Sequence, residues 1–264
     1  NAIVGSAGTK TGIWRLLKAA SELKIEPGSI ILPGYDSQRV GNAANAAVVA
    51  ASAVADRIID CIVVTNTPVN SREAAVQYAE DHKARLNVVA MYPQAKVNLG
   101  SGNVVRPLSP HVVAAIVRRD KETGGPYKAS WNRPLKGILD TSLPVEYTNG
   151  DVSSDANYLA QHGVGTVIEG NLLWAPFTTA TDPTTVGWRS IKRIRTRKAI
   201  DKALLAPFRK YLSEDINPST VGLIYRAADQ HMMDLKTMGA LVDYELYWSK
   251  SMNPASLLEA GALR

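Results

Sequence analysis

Ala46-Ala47-Val48-Val49-Ala50-Ala51-Ser52-Ala53-Val54-Ala55, followed by Cys61-Ile62-Val63-Val64-Thr65-Asn66, decides the fold. The first run belongs to a long Ala/Val helix expected from about Val40 to Ile59, whose small residues permit close packing against a sheet. The second is a short apolar run, which reads as a buried strand. Working outward, Ser29 to Leu32 is another short apolar run, closed by the turn Pro33-Gly34-Tyr35-Asp36. Asn70 and Glu73 have capping-box spacing and open a helix that lasts until about His82. Asn87 to Tyr92 is a third strand. Ser109-Pro110 is an N-cap and N1 pair for a helix through Arg119. Upstream, Ile13, Leu16, Leu17 and Ala20 give Gly12 to Leu23 a helical spacing. Strands separated by helices of this size need crossovers. The expected fold is therefore α/β, a mixed, largely parallel sheet with helices on both faces.

The rhythm breaks from Lys121 to Asn157, where Gly124-Gly125-Pro126 and Trp131-Asn132-Arg133-Pro134-Leu135-Lys136-Gly137-Ile138 occur. Beyond it, Ser154 to Gln161 reads as a helix stopped by Gly163. Val164 to Glu169 and Leu172 to Thr178 read as a hairpin around Gly170-Asn171. Two long helices follow, Trp188 to Leu212 and Pro218 to Met238, the second capped by Asn217 and closed by Gly239. Val242, Tyr244, Leu246 and Trp248 alternate with Asp243, Glu245 and Tyr247, the pattern of a strand with one wet face. A short helix from Asn253-Pro254 to Gly261 closes the chain. The organisation expected is an α/β portion over residues 1–125 and an α+β portion over 126–264.

A chain of 264 residues with 45% hydrophobic and 20% charged residues can bury a full core and is not of disordered composition. Its formal charge of +6 suits an anionic partner of some kind. The single cysteine, Cys61, cannot form an internal disulfide and sits in an apolar run as a small hydrophobe. The longest Ala-rich run, Ala46 to Ala55, is far short of the ~20 residues a membrane-spanning helix needs, so no membrane partner is expected. Because the chain opens at Asn1 without a Met, it is expected to be an internal or processed piece.

Reactive constellations are weak. Gly5-Ser6-Ala7-Gly8-Thr9-Lys10-Thr11-Gly12 resembles a phosphate loop, but Thr9 separates Gly8 from Lys10, so the Gly-Lys-Ser/Thr spacing fails. His82, His111, His162 and His231 are scattered, without the clustering a zinc site wants. No Gly-x-Ser-x-Gly elbow and no acid–base carboxylate pair stands out. No cofactor or metal is therefore expected, and no enzyme. The densest basic cluster is Lys192, Arg193, Arg195, Arg197 and Lys198, with Trp188 as the sole nearby aromatic. It reads as a solvated helix face or a contact for an acidic protein surface, and nucleic acid would want more interleaved aromatics.

Several segments together resemble the contractile tail sheath proteins of myophages and related contractile injection systems. They are Gly12-Ile13-Trp14-Arg15-Leu16-Leu17, Ile31-Leu32-Pro33-Gly34-Tyr35-Asp36, the Trp131 to Ile138 motif, Leu159 with Gly163 to Ile168, Leu173-Trp174-Ala175-Pro176 with Asp182-Pro183, and Tyr247-Trp248-Ser249 with Asn253 to Gly261. Ala175-Pro176 departs from the family's usual Gly-x-Arg. The resemblance implies a structural subunit that polymerises helically around a tail tube, contracts when a baseplate triggers it, and exchanges terminal-arm strands with identical subunits. It also implies a place in the virion after assembly in the host cytoplasm, and a tube-facing surface near the C-terminal helix, with Asn253, Ser256 and Glu259 as candidates. Lys192 to Lys198 is the second candidate surface, by charge. Both terminal arms are expected to be missing, so residues 1–264 alone should not form sheath; regular tubes from this piece would refute that. The competing readings are a nucleotide- or phosphate-cofactor-binding α/β enzyme and a basic nucleic-acid-binding domain.

Overall fold

The computed structural model describes residues 2–184, 186–211, 217–249, 251–254 and 256. It divides into two compact units, residues 1–198 and 199–264; the change of rhythm near residue 125 falls within the first.

The strands are β1 (Ser29–Ile31), β2 (Ile62–Asn66), β3 (Val88–Met91), β4 (Ala95–Asn98), β5 (Asn103–Arg106), β6 (Asp140–Thr141), β7 (Val164–Ile168) and β8 (Leu172–Trp174). The α-helices are α1 (Ala19–Leu23), α2 (Ala46–Ile58), α3 (Arg72–Glu80), α4 (Ser109–Thr123), α5 (Asp155–Gln161), α6 (Ile191–Phe208) and α7 (Pro218–Thr237). Five strands form the main sheet in the order β1-β2-β3-β7-β8, parallel except for the β7–β8 hairpin. A small antiparallel sheet, β5-β4-β6, lies beside it in the chain order.

Alternation along each strand explains why the central strands are apolar throughout. Ile62 and Val64 of β2 and Val89 and Met91 of β3 pack with Leu108, Val112, Ala115 and Ile116 around α4. Their neighbours Val63 and Val88 point the other way, into Val48, Ala51, Val54 and Ala55 of α2. Ala90 and Val164 pack on that second side against Tyr78 and Ala79 of α3 and Leu159 of α5. Helices therefore cover both faces. Each such valine buried on folding contributes about 1.5–3 kcal/mol.

Several expected boundaries shift, each for a local reason. The Ala/Val helix starts at Ala46, not Val40, because Asn45 caps it: its Oδ1 accepts from the amides of Ala47 at 2.9 Å and Val48 at 3.3 Å. Its Nδ2 donates to the carbonyls of Tyr35 and Gln38, tying the preceding loop to the helix start. Val40–Asn42 is a separate 3-10 turn around Gly41 at φ 64°. Asn45→Ala should lower stability by about 1–2 kcal/mol, as read by urea unfolding. The cap of α3 is Ser71 rather than Asn70, with its Oγ accepting from Ala74 N at 3.1 Å. Ser109 is the first helical residue of α4 instead of its cap, and its hydroxyl is engaged elsewhere. Gly12 to Lys18 is 3-10 helix, with only Ala19–Leu23 α-helical.

The β4–β5 hairpin was not expected, although Gly100 and Gly102 between two apolar–polar runs carry its turn signal. The β7–β8 hairpin forms where expected, with the positive φ on Glu169 and Gly170. The Trp131 motif lies along the outer edge of β8. Asn132 N donates to Leu173 O at 2.6 Å, Leu173 N to Arg133 O at 3.0 Å, and Leu135 N to Asn171 O at 2.8 Å. Pro134, which has no N–H to offer, bridges Leu172 at this edge. Trp131 meets Trp174 edge-on at 5.4 Å, and Leu135 is buried in the core. Particular residues here close a sheet edge that would otherwise pair promiscuously.

In the second unit, Asn217 caps α7 through Thr220 N at 3.0 Å, and Gly239 follows the helix at φ 69°. The strand expected over Val242 to Trp248 is not formed. The alternation is present, but no ladder partner exists among the described residues, and a strand without a neighbour has nowhere to place its backbone hydrogen bonds. The segment instead contacts α7 through side chains: Tyr244 Oη donates to Asp229 Oδ1 at 2.8 Å, Tyr225 Oη to Leu246 O at 3.1 Å, and Lys236 pairs with Asp243 at 2.9 Å.

Candidate interaction surfaces

Helix α6 begins with five cations in seven residues, and the structure divides them. Ile191 and Ile194 face the core, which turns Arg195 inward beside them. Arg195 is 9% exposed and makes a bidentate pair with Asp120 of α4, Nη1 to Oδ1 at 2.9 Å and Nη2 to Oδ2 at 2.5 Å. Lys198 Nζ donates to Cys61 O at 3.0 Å and lies 3.7 Å from Asp56. Lys192, Arg193 and Arg197 face outward. Arg193 and Arg197 lie over the Trp188 ring, at 4.6 and 4.8 Å, and Arg193 also donates to Gly187 O. Trp188 is not in the helix; the expected start there is three residues early, and it sits in a 3-10 turn, Val186–Trp188. The cluster is thus two tethered cations plus an outward ridge on an aromatic base. Leu212, the expected helix end, lies outside the described residues.

Of the C-terminal candidates, Asn253 is buried, with Nδ2 donating to Ser249 O, and Ser256 is exposed and helical. Glu259 and most of the expected Asn253 to Gly261 helix lie outside the described residues.

A buried polar junction went unnoticed in the sequence because its members are far apart. Asp36 Oδ2 accepts from Asn66 N at 2.9 Å and Nδ2 at 2.8 Å. Asn66 Nδ2 also donates to Ser109 Oγ, while Ser109 N donates to Asn66 Oδ1. Tyr78 Oη donates to Asp36 O at 2.6 Å and contacts Thr65 Oγ1 at 2.7 Å. Burial pushes the Asp36 carboxyl above its ordinary range, against the pull of the Asn66 bonds. Burial likewise pushes the Tyr78 phenol up. The order acid–amide–hydroxyl mimics a nucleophile relay, but an amide accepts no proton at neutral pH, so Ser109 gains no activation. The junction pins the Pro33–Asp36 turn, the end of β2 and the start of α4 together.

The glycine loop is likewise shut. Gly5 and Gly12 have φ 63° and 58°, and Ile13 N bonds Ile3 O at 2.9 Å. A Cβ on Gly5 would stand 2.0 Å from Thr11 O. The glycines let the loop fold onto its own backbone, which leaves no cradle for a phosphate. Among the described residues no group of His, Cys, Asp and Glu is arranged to hold a metal, and no helix is long and apolar enough to cross a membrane.

The second unit carries a cleft of about 780 Å³ beside α7, lined among others by Tyr225, Asp229, Met233, Asp243, Tyr244 and Glu245.

No family model matches the chain. It is similar over nearly all its length to named proteins: 29% identical across 262 residues to a prophage major tail sheath protein of Pseudomonas aeruginosa strain UCBPP-PA14, covering 98% of this chain and 65% of that protein. It is 24% identical to the tail sheath protein of Burkholderia phage BcepMu, over 98% of this chain and 56% of that one. With the tail sheath protein of Escherichia phage P2 the identity is 22%, over 97% and 63%. The chain therefore spans between about half and two thirds of the length of these relatives. Its fold matches a chain in the sheath complex of an extracellular contractile injection system in the contracted state, with TM-score 0.67, 16% identity, and coverage of 89% of this chain and 62% of that one. A chain of the anti-feeding prophage baseplate matches with TM-score 0.63 and 18% identity, over 82% and 59%. The three sequence relatives are named as tail sheath proteins, and none is named for nucleotide or cofactor binding. By sequence over almost its whole length the chain is similar to phage tail sheath proteins, and its fold matches chains of contractile injection systems.

Proposed function

We propose that this chain is the core of a structural subunit of a contractile phage tail sheath. The subunit polymerises helically around the tail tube and shortens to drive the tube through the host envelope. The observation that carries this reading is the likeness to three tail sheath proteins across 97–98% of the chain. The glycine loop is closed on its own backbone, and the Asn66 amide between Asp36 and Ser109 passes no proton. The work of contraction then comes from a switch between two packings of identical subunits, with no nucleotide consumed.

Partners in this reading are identical subunits, reached by strand addition from terminal arms, the tail tube protein and the baseplate. Val242 to Trp248, an alternating segment without a ladder partner among the described residues, supports strand addition. Lys192, Arg193 and Arg197, with Asn253, Ser256 and Glu259, are the proposed contact residues; Arg195 and Lys198 support the ridge from within. The protein belongs to the virion in this account, after assembly in the host cytoplasm. Negative-stain electron microscopy of the expressed full-length gene product tests it. Regular tubes are expected, and a strictly monomeric product contradicts it.

A further inference from the structure

We propose that the α6 ridge of one copy docks into the α7 cleft of a second copy, with guanidinium groups meeting the carboxylates there. The inference rests on the sheath reading and names one seam within it.

The ridge is Lys192, Arg193 and Arg197, all exposed, with Trp188 39% exposed beneath the two guanidiniums. Stacking on the indole holds each guanidinium plane in place. Less side-chain freedom is then lost when its N–H edge meets a carboxylate in a bidentate pair. The same stacking disfavours nucleic acid, because the Trp188 ring that a base would stack on already carries the arginines.

The receiving surface has the opposite sign. The chain carries +6 overall, yet residues 217–249 hold Asp229, Asp234, Asp243 and Glu245 against only Arg226 and Lys236. Three of those carboxylates, Asp229, Asp243 and Glu245, line the cleft with Tyr225, Tyr244 and one cation, Lys236, which pairs with Asp243 at 2.9 Å, so the lining keeps a net negative charge. Two different patches of one chain that fit each other make a heterologous contact, and such contacts generate rings or helical filaments rather than closed pairs. Exposed charges of this kind also let a seam break and reform, since each pair is weak and screened by salt.

The test uses the full-length gene product and measures the critical concentration for polymerisation by pelleting at low salt. Arg193→Glu with Arg197→Glu, and separately Asp243→Lys with Glu245→Lys, should each raise it roughly tenfold or more by setting like charges face to face. Combining all four changes restores opposite signs across the seam and should return it to within about threefold of wild type. Thermal melts establish that each variant folds. Should a reversal unfold the chain, the neutral set Arg193→Gln, Arg197→Gln, Asp243→Asn and Glu245→Gln replaces it, and non-additivity between the two pairs is then expected. Unchanged polymerisation in the double variants, or defects that simply add in the quadruple variant, overturns the seam while leaving the sheath reading intact. A wild-type product that never polymerises overturns both.

Discussion

Asp120→Ala is expected to destabilise the first unit by about 3 kcal/mol, because it leaves the Arg195 guanidinium buried without its counter-charge. The pair is bidentate, and Arg195 is buried, as are Ile191 and Ile194 of the same helix. Asp120 also sits in the last turns of α4, where the helix dipole disfavours a carboxylate, so it depends on that cation. For a chain of this size the loss corresponds to a fall in melting temperature of about 6–12 °C. Asp120→Leu combined with Arg195→Met removes both charges and should recover most of the loss. Lys192→Ala, one turn away but outward-facing, should stay within about 0.5 kcal/mol of wild type. Equal melting temperatures for Asp120→Ala and Lys192→Ala would show that the pair adds nothing to the fold.

Stability should also fall on acidification across a window set by His82. This residue is fully buried, edge-on to Tyr78 at 5.0 Å, and its Nε2 has no hydrogen-bond partner among the described residues. Desolvation, with Arg85 nearby, lowers its pKa to about 4, against a smaller opposing effect from Asp81, itself paired with Arg39. A histidine depressed in the folded state contributes its full share of stability above the unfolded value near 6.5. That share is lost as pH falls from about 6.5 to about 4, and amounts to roughly 3 kcal/mol. Asp36 acts in the opposite sense: its raised pKa makes the folded state take up a proton before the unfolded chain does, which relatively favours the folded state as pH drops. Urea unfolding at pH 7.5, 6.0 and 4.5 reads the sum. His82→Gln should flatten the profile between 6.5 and 4.5, and an unchanged slope in that variant would assign the acid loss elsewhere.

How much of this was legible depended on whether the signal was local. The alternating strand and helix segments were legible because β2, β3 and α2 are buried on both sides, and continuous Val, Ile and Ala runs record that directly. The caps named from sequence, at Asn70, Ser109 and Asn217, lie within a residue of the observed ones, but the Asn45 cap was missed and the start of α2 with it. Ser109 looks like a cap until Asn66, 43 residues earlier, takes its hydroxyl. The basic cluster was visible in the sequence, but its division was not. Which cations turn inward depends on Asp120 and Cys61, 75 and 137 residues away. The acidic character of the α7 cleft was open to reading, since Asp229, Asp234, Asp243 and Glu245 are close in sequence, yet only the fold brings the helix beside the segment after it. The alternation of Val242 to Trp248 gave a strand that the described chain does not form. Side-chain pattern specifies which face a strand would bury, and a partner must still supply the ladder.

The central claim is that this chain is a brick whose function lies in its seams with identical bricks, and that switching those seams does the work. Counting subunits and measuring length on the same individual polymers, before and after triggering, tests it most directly. The account predicts shortening at constant subunit number with no nucleotide present. Polymers of fixed length, or shortening that stops when ATP is withheld, would contradict it.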